Sequence, residues 1–156
     1  MNKDDIYFLK IAYKEALKAK QKQEVPIGAV IVLNNKIIAK GHNLKEIKNN
    51  PLAHAEIIAI NKAIKKLKQM YLNDAILYVT LEPCSMCAGA IIQTRIKKVV
   101  FGALDKKGGA LISSFKMYSI KGFNHYPEIA YNEKLPECGE ILTKFFQEKR
   151  KNDIMK

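Results

Sequence analysis

The sequence predicts an α/β protein in which helices cover both faces of a mixed central sheet of about five strands, a three-layer α/β/α arrangement. Short apolar runs of strand length alternate along the chain with longer segments of helical periodicity, which is the pattern of layered α/β domains. The chain has 156 residues, an ordinary size for one domain. Hydrophobic residues make up 48% of it, enough to build a core. We therefore expect residues 1–156 to form a single domain.

The N-terminal part is expected to form a helix followed by a β-hairpin. Apolar side chains recur at three- and four-residue spacing between residues 4 and about 21, with lysines between them, which predicts an amphipathic helix. Residues 27–33 are an apolar run typical of a strand. Asn34-Asn35 predicts a two-residue hairpin turn, and residues 36–40 return as the partner strand. The chain is expected to leave the sheet at Gly41-His42-Asn43.

The middle of the chain predicts two helix–strand units. After a polar loop over residues 44–53, helical periodicity runs from His54 to about Gln69. Residues 75–80 are apolar enough for a central strand. Pro83 suits the start of a second helix that ends near Thr94. Residues 99–101 form the next strand, which should be parallel to the preceding one because a helix separates them.

The C-terminal part is expected to contain one more strand and one more helix. Residues 102–114 are rich in glycine and predict a flexible rim beside a pocket. A short strand is expected at about residues 128–131 and a helix at about 136–149, with His125 anchoring the loop before the strand. The basic tail, about residues 148–156, suits contacts with phosphates, and a frayed, solvated terminus is the alternative.

The charge of the chain indicates a polyanionic partner. The formal net charge is +12. However, 25 of the 27 basic residues are lysines, a bias that codon composition also produces. No segment is long and apolar enough to predict a membrane span or a signal peptide, and three cysteines do not make a disulfide framework. We therefore expect a cytoplasmic protein, with Cys138 as a small core residue.

Two short stretches carry the residues of a metal site, His54-Ala55-Glu56 and Pro83-Cys84-Ser85-Met86-Cys87. One imidazole and two thiolates are ligands that zinc prefers, and three ligands leave a position open for water, as catalytic zinc sites do. Zinc lowers the pKa of bound water, and Glu56 could move the proton. Both stretches fall at predicted helix N-termini, which favour negative charge. A structural zinc site is the alternative, since Cys-x-x-Cys alone is only moderately specific.

These stretches resemble the signature of the zinc-dependent cytidine and adenosine deaminase superfamily. The run from Thr80 to Ala90 is similar, more narrowly, to the bacterial tRNA-specific adenosine deaminases, and the likeness extends from about Asp5 to Arg150. It implies a cytidine-deaminase-like fold, one Zn²⁺ per subunit and a homodimer. It also implies hydrolytic deamination of adenosine to inosine at the wobble position of a tRNA anticodon stem-loop.

The resemblance also implies roles for individual residues. His54, Cys84 and Cys87 would hold zinc, and Glu56 would be the catalytic proton shuttle. The residues implied to contact the substrate are Asn43, Val25, Pro26 and Ala55 around the base, Asp105 on the ribose side, and Phe145, Phe146 and Arg150 towards the RNA loop.

Three of these assignments keep an alternative. Asn43 could instead cap a turn, and Asp105 could be an exposed turn aspartate. Phe145 and Phe146 are adjacent and cannot face the same way, so we expect one in the core and the other near the RNA. Residues 107–115 depart from the usual family form, and the tail has lysine where arginine is usual, which affects RNA recognition rather than chemistry.

Other functions are compatible with the same motifs. The nearest alternative is a zinc-dependent deaminase of a free base or nucleoside, such as guanine or cytidine. A non-catalytic, zinc-stabilised RNA-binding module is a second, although it would not need Glu56. A third is the deaminase part of a vitamin-biosynthesis enzyme, which usually carries a reductase domain that this sequence does not show.

Overall fold

The computed structural model describes residues 3–155, and it confirms the predicted three-layer arrangement. The elements are α1 (Lys3–Gln21), β1 (Gly28–Leu33), β2 (Lys36–His42), α2 (Ala55–Leu67), β3 (Ile76–Val79), α3 (Ser85–Gln93), β4 (Lys98–Phe101), β5 (Glu128–Tyr131) and α4 (Glu137–Ile154). A short 3-10 helix, which the sequence did not predict, spans Met117–Ser119. None of these helices is long and apolar enough to cross a bilayer.

The five strands form one mixed sheet in the order β2-β1-β3-β4-β5. The first strand is antiparallel to both of its neighbours, whereas β3, β4 and β5 are parallel. The parallel pairing of β3 and β4 confirms the prediction from the intervening helix. Because of these directions, the start of β1, the end of β2 and the ends of β3 and β4 all lie at the same edge of the sheet, called the site edge below.

Helices cover both faces of the sheet because strand side chains alternate between them. Leu77 and Val99 are fully buried on the face covered by α2 and α3. Tyr78 and Val100 point to the opposite face, where α1 packs together with Cys138 at the start of α4. The buried Tyr78 hydroxyl donates a 2.7 Å hydrogen bond to Asp5, which ties α1 to the sheet centre. Cys138 is fully buried, as predicted.

Several element boundaries differ from the predictions. His54 and Cys84, expected inside the first turns, are N-cap residues with extended backbone, so α2 begins one residue later than predicted and α3 two residues later. The second strand continues to His42 through its pairing with Gly28. The basic tail continues as helix to Ile154 rather than fraying, and Lys151 in the last turn complements the helix dipole. Lys156 lies outside the described residues.

The loop before β5 is anchored as expected. The Nε2 atom of His125 donates a 2.7 Å hydrogen bond to the carbonyl of Ile96, just before β4. Glu128 N–H bonds to the carbonyl of Lys97, so the loop enters the sheet beside the same strand.

Gly28 allows α1 to approach the sheet closely. A Cβ atom there would overlap the carbonyl oxygen of Ala12, and it would lie 2.6 Å from the backbone nitrogen of Ala16. Because helix backbone cannot move aside as a side chain can, we expect Gly28→Ala to destabilise the protein by about 1–3 kcal/mol. Thermal unfolding measures this as a Tm several degrees lower, on the order expected for a chain of this size.

A glycine elsewhere provides the control for this prediction. A Cβ on Gly89, inside α3, meets only Met117 Cε at 3.9 Å. Since alanine favours helix over glycine, Gly89→Ala should unfold at the same or a higher temperature. An unchanged Tm for Gly28→Ala would show that α1 is not held as closely as described.

Candidate metal and active site

Three potential metal ligands meet at the site edge, between the N-termini of α2 and α3. His54 caps α2, whereas Cys84 caps α3 and Cys87 lies in its first turn. The Nδ1 atom of His54 is 3.7 Å from the sulfur of Cys84 and 3.6 Å from that of Cys87, and all three ligand atoms lie within 4.8 Å of one another. Tetrahedral zinc with ordinary bond lengths separates nitrogen and sulfur by about 3.5 Å. The residues therefore fit a zinc ion.

The two thiols differ in acidity before any metal is considered. The hydrogen bond from the Cys87 thiol, together with His54, lowers the pKa of Cys84 to about 3. The same hydrogen bond to Cys84, reinforced by burial, raises the pKa of Cys87. The hydrogen bond between the two thiols thus favours the thiolate form of Cys84, and a bound metal would deprotonate Cys87 as well, as coordination does.

Glu56 lies beside this group in the first turn of α2 and is only 4% exposed. Burial raises the pKa of its carboxyl group to about 7, while its own backbone N–H and His54 act in the opposite direction. A carboxyl group with a pKa near neutrality can both accept and release a proton at physiological pH. The position and acidity of Glu56 therefore suit a general acid–base.

Asn43 both caps a helix and faces the site. Its Oδ1 atom accepts a 2.8 Å hydrogen bond from the backbone N–H of Ala55, the first residue of α2. That bond fixes the orientation of the amide and leaves its NH₂ group as the part offered to a ligand. Asn43 also lines the cavity beside His54. Asn43 thus caps the start of a helix rather than a turn, and its contact with the substrate stays a prediction.

A cavity of about 880 Å³ opens at the site edge beside His54. Its size lies towards the upper end for small-molecule sites. The predicted substrate-contact residues that line it are Val25, Asn43, Asp105, Phe146 and Arg150. Pro26, Ala55 and Phe145 are not among its lining residues. Pro26 and Ala55 are buried, and Ala55 contributes its N–H to Asn43 rather than a surface to the cavity.

The two adjacent phenylalanines differ from the expectation of one core and one surface residue. Phe146 is 41% exposed and lines the cavity, whereas Phe145 is only partly buried. Their rings meet edge to face at 5.4 Å. Phe145 therefore supports the Phe146 ring from the side instead of filling the core.

Comparisons with known proteins agree with this geometry. The family model of the MafB19-like deaminases matches residues 1–150. The tRNA-specific adenosine deaminase of Bacillus subtilis (strain 168) is 49% identical over 97% of this chain and 93% of its own length. The chain belongs to the tRNA-specific adenosine deaminase family. The resemblance in the motifs around His54 and Cys84 is thereby confirmed.

Two solved structures extend the comparison. One comes from a study of A-to-I editing by tRNA:A34 deaminases at the wobble position of transfer RNA; it has 43% identity and a TM-score of 0.85, covering 88% of this chain and 99% of that one. The guanine deaminase of Bacillus subtilis has 44% identity and a TM-score of 0.62, covering 67% and 66% of the two chains. Both have the predicted cytidine-deaminase-like fold.

In this member of the tRNA-specific adenosine deaminase family, the cavity mouth is basic, a feature that the motifs did not reveal. Lys45, Lys106, Lys107 and Arg150 all contribute to its lining and are called the basic rim below. They come from three separate segments of the chain. Arg150 was predicted to lie towards the RNA loop, whereas the excess of lysine in the sequence hid Lys45, Lys106 and Lys107, because nothing distinguishes them from the other lysines.

Two further features of the site were also missed. Gly139, Leu142 and Thr143 of α4 line the cavity together with Phe146 at helical spacing. Glu82, just before Pro83, is a buried carboxylate with 2% exposure. The signal for Glu82 was present in the sequence, since a charged residue stands between an apolar strand and a helix start.

Proposed function

We propose that this protein hydrolyses adenosine to inosine at the wobble position of a tRNA anticodon, with one zinc ion per subunit held by His54, Cys84 and Cys87. The observation that carries the proposal is the buried Glu56 beside a three-ligand group at a cavity with a basic rim. A structural zinc site has no use for such a carboxyl group. The membership of the family supports the choice of substrate.

The residues of the chain divide the chemistry among them. Zinc would supply a bound water of lowered pKa as the nucleophile for C6 of the adenine. Glu56 would take a proton from that water, deliver it towards N1 and then assist the departure of ammonia. The NH₂ group of Asn43 would donate to the purine edge, held in that orientation by the N–H of Ala55. Water and adenosine thus yield inosine and ammonia.

The cavity mouth suits an RNA loop better than a free base. Bases in an anticodon loop are already unpaired, so little energy is needed to splay one into a pocket. The exposed ring of Phe146 offers a stacking surface, and Arg150, one helical turn further along α4, offers a planar group for phosphate or base. The lysines of the basic rim add attraction for the backbone.

The proposal also covers the domain organisation, the cellular location and the oligomeric state of the enzyme. We place residues 1–156 in one functional unit that works in the cytoplasm, where its tRNA substrate is found. A homodimer follows from the family resemblance and would allow one anticodon stem-loop to contact two subunits.

The proposal is tested by inosine formation with the zinc-loaded protein. The substrates are an anticodon stem-loop with a wobble adenosine, the same RNA with its adenosine moved into the paired stem, and free adenosine, cytidine and guanine. We expect inosine only in the first RNA, because the reaction needs an unpaired adenosine presented by a loop. Inosine is measured by nuclease digestion and chromatography.

Other outcomes would change the assignment. Turnover of guanine or of a free nucleoside without turnover of the RNA would reject the tRNA substrate and favour a small-molecule deaminase. Equal reaction of the loop and stem adenosines would contradict recognition of an unpaired base.

A further inference from the structure

The Glu82 carboxylate is surrounded by hydrogen-bond donors from the segment after β4. Its Oε1 atom accepts the backbone N–H of Asp105 at 3.1 Å and the hydroxyl of Ser113 at 2.5 Å. Its Oε2 atom accepts three backbone N–H groups, from Leu111 at 3.0 Å, Ile112 at 2.7 Å and Ser113 at 3.0 Å. One side chain therefore holds both ends of residues 105–113, called the rim loop below.

The backbone around Glu82 reinforces this connection. Its N–H donates to the carbonyl of Ala103, and the carbonyl of Pro83 accepts the N–H of Ala110, both at 2.9 Å. A Cβ atom on Gly109 would overlap the Glu82 carboxylate, so the rim loop passes directly over it. The loop predicted to be flexible is thus folded around a fixed anion.

The electrostatics agree with a carboxylate that stays charged. Burial alone would raise the pKa of Glu82, but the hydroxyl of Ser113 and the backbone N–H groups lower it below the ordinary value. A buried charge is tolerated when hydrogen bonds satisfy it, and bonds to a charged acceptor are stronger than neutral ones. The five donors meet that condition.

Glu82 connects the proposed metal ligands with the part of the cavity that the rim loop lines. The proposed ligand Cys84 follows Glu82 by two residues, and the rim loop supplies Asp105, Lys106 and Lys107 to the cavity. The carboxylate does not line the cavity, so any effect on a substrate must act through the loop that it holds.

We propose that Glu82 is a positioning residue, which fixes Lys106 and Lys107 of the basic rim and Asp105 relative to the metal ligands and thereby sets the affinity for the RNA. The inference rests on the proposed function for the identity of the substrate. It predicts an effect on RNA binding with little effect on the chemical step or on the metal, because Glu82 contacts neither the reacting atoms nor a ligand side chain.

The test variant is Glu82→Gln, which keeps the shape but replaces one acceptor oxygen by a donor. The NH₂ group of the introduced glutamine is best tolerated at the position of Oε1, because the Ser113 hydroxyl can rotate there and accept a hydrogen bond from it. The N–H of Asp105 then loses its partner. We expect the Kd and the KM for the anticodon stem-loop to rise about tenfold, the effect of one lost buried hydrogen bond. We expect kcat to change less than about twofold and zinc to remain at one per subunit.

Two matched variants separate this role from a general loss of stability. Glu15→Gln changes another buried carboxylate, which is bound to Lys18 and His42 and does not line the cavity. Ser113→Ala removes one donor and leaves the carboxylate. Glu15→Gln should bind the stem-loop as the wild-type protein does. Ser113→Ala loses one of the five bonds to Glu82 but keeps the backbone bonds, so its Kd should rise by less than that of Glu82→Gln. Hydrogen exchange of the amides of residues 105–113 should accelerate in Glu82→Gln and not in Glu15→Gln.

Each further result decides a separate question. Faster exchange with an unchanged Kd would mean that Glu82 only shapes the loop, and the proposed positioning role would be wrong. An equal rise in Kd for Glu15→Gln, or loss of zinc from Glu82→Gln, would also overturn it. A wild-type protein that binds the stem-loop but deaminates only small molecules would reject the proposed function, while the Kd comparison would still test Glu82.

Discussion

Glu56→Gln should lower kcat for the stem-loop by about 10²–10⁴-fold, the usual contribution of a general acid–base, and leave the zinc content unchanged. Glutamine has nearly the same shape and can fill the same buried space in the first turn of α2. It cannot take up a proton and release it again. The KM should change much less than kcat, because the basic rim and Phe146, which are proposed to hold the RNA, are unchanged in this variant. Steady-state kinetics and metal analysis of the same preparation measure both quantities.

The control for this prediction is Glu15→Gln, which changes a buried carboxylate that does not line the cavity. It should keep kcat near the wild-type value. Substantial turnover by zinc-loaded Glu56→Gln would show that another group moves the proton. Loss of zinc together with activity would instead show that Glu56 acts on the metal site itself.

Cys84→Ser should abolish both stoichiometric zinc binding and deamination. The Cys84 sulfur lies 3.7 Å from Nδ1 of His54 in the group that could hold the ion, and serine lacks the thiolate that zinc prefers. Replacing a ligand should weaken metal affinity by more than about 100-fold, since changes in outer-shell partners alone cost up to that factor. Metal content after dialysis and competition with a chromophoric chelator measure the loss.

Cys138→Ala is the matched control for Cys84→Ser. Cys138 does not belong to the group of potential metal ligands. It is fully buried against Gly102, in the core between α1, α4 and the sheet. Its replacement can reduce stability but should leave one zinc ion bound and the protein active. Full zinc occupancy in Cys84→Ser would contradict the assigned ligand set.

The grouping of His54, Cys84 and Cys87 was predictable because their residue types are rare and their spacing is local. One motif is a histidine followed two residues later by glutamate, and the other is a pair of cysteines three residues apart after a proline. Each motif lies at the start of a helix, so its spacing sets the relative positions of its side chains. The fold was predictable for a similar reason, since strand and helix periodicities alternate clearly. Even so, the sequence did not indicate that His54 and Cys84 are cap residues just outside their helices.

The rim of the cavity was predictable only in part, because it depends on contacts between distant segments. Residues 102–114 and Arg150 were assigned to it from the sequence, whereas Lys45 is an ordinary surface lysine until the fold brings its segment to the cavity. The order of the rim loop depends on Glu82, 23 residues before Asp105. Glycine-rich composition predicts flexibility, but composition does not show that a buried anion is available to hold the backbone.

The course of α4 along the cavity has a consequence for biosynthesis. All three proposed metal ligands and Glu56 precede residue 88, whereas Leu142, Phe146 and Arg150 belong to the last helix of the chain. Chains are made from the N-terminus, so the residues proposed to hold the metal leave the ribosome before the α4 residues that line the cavity. Because domains generally fold as units, the cavity is complete only once this last helix has been made.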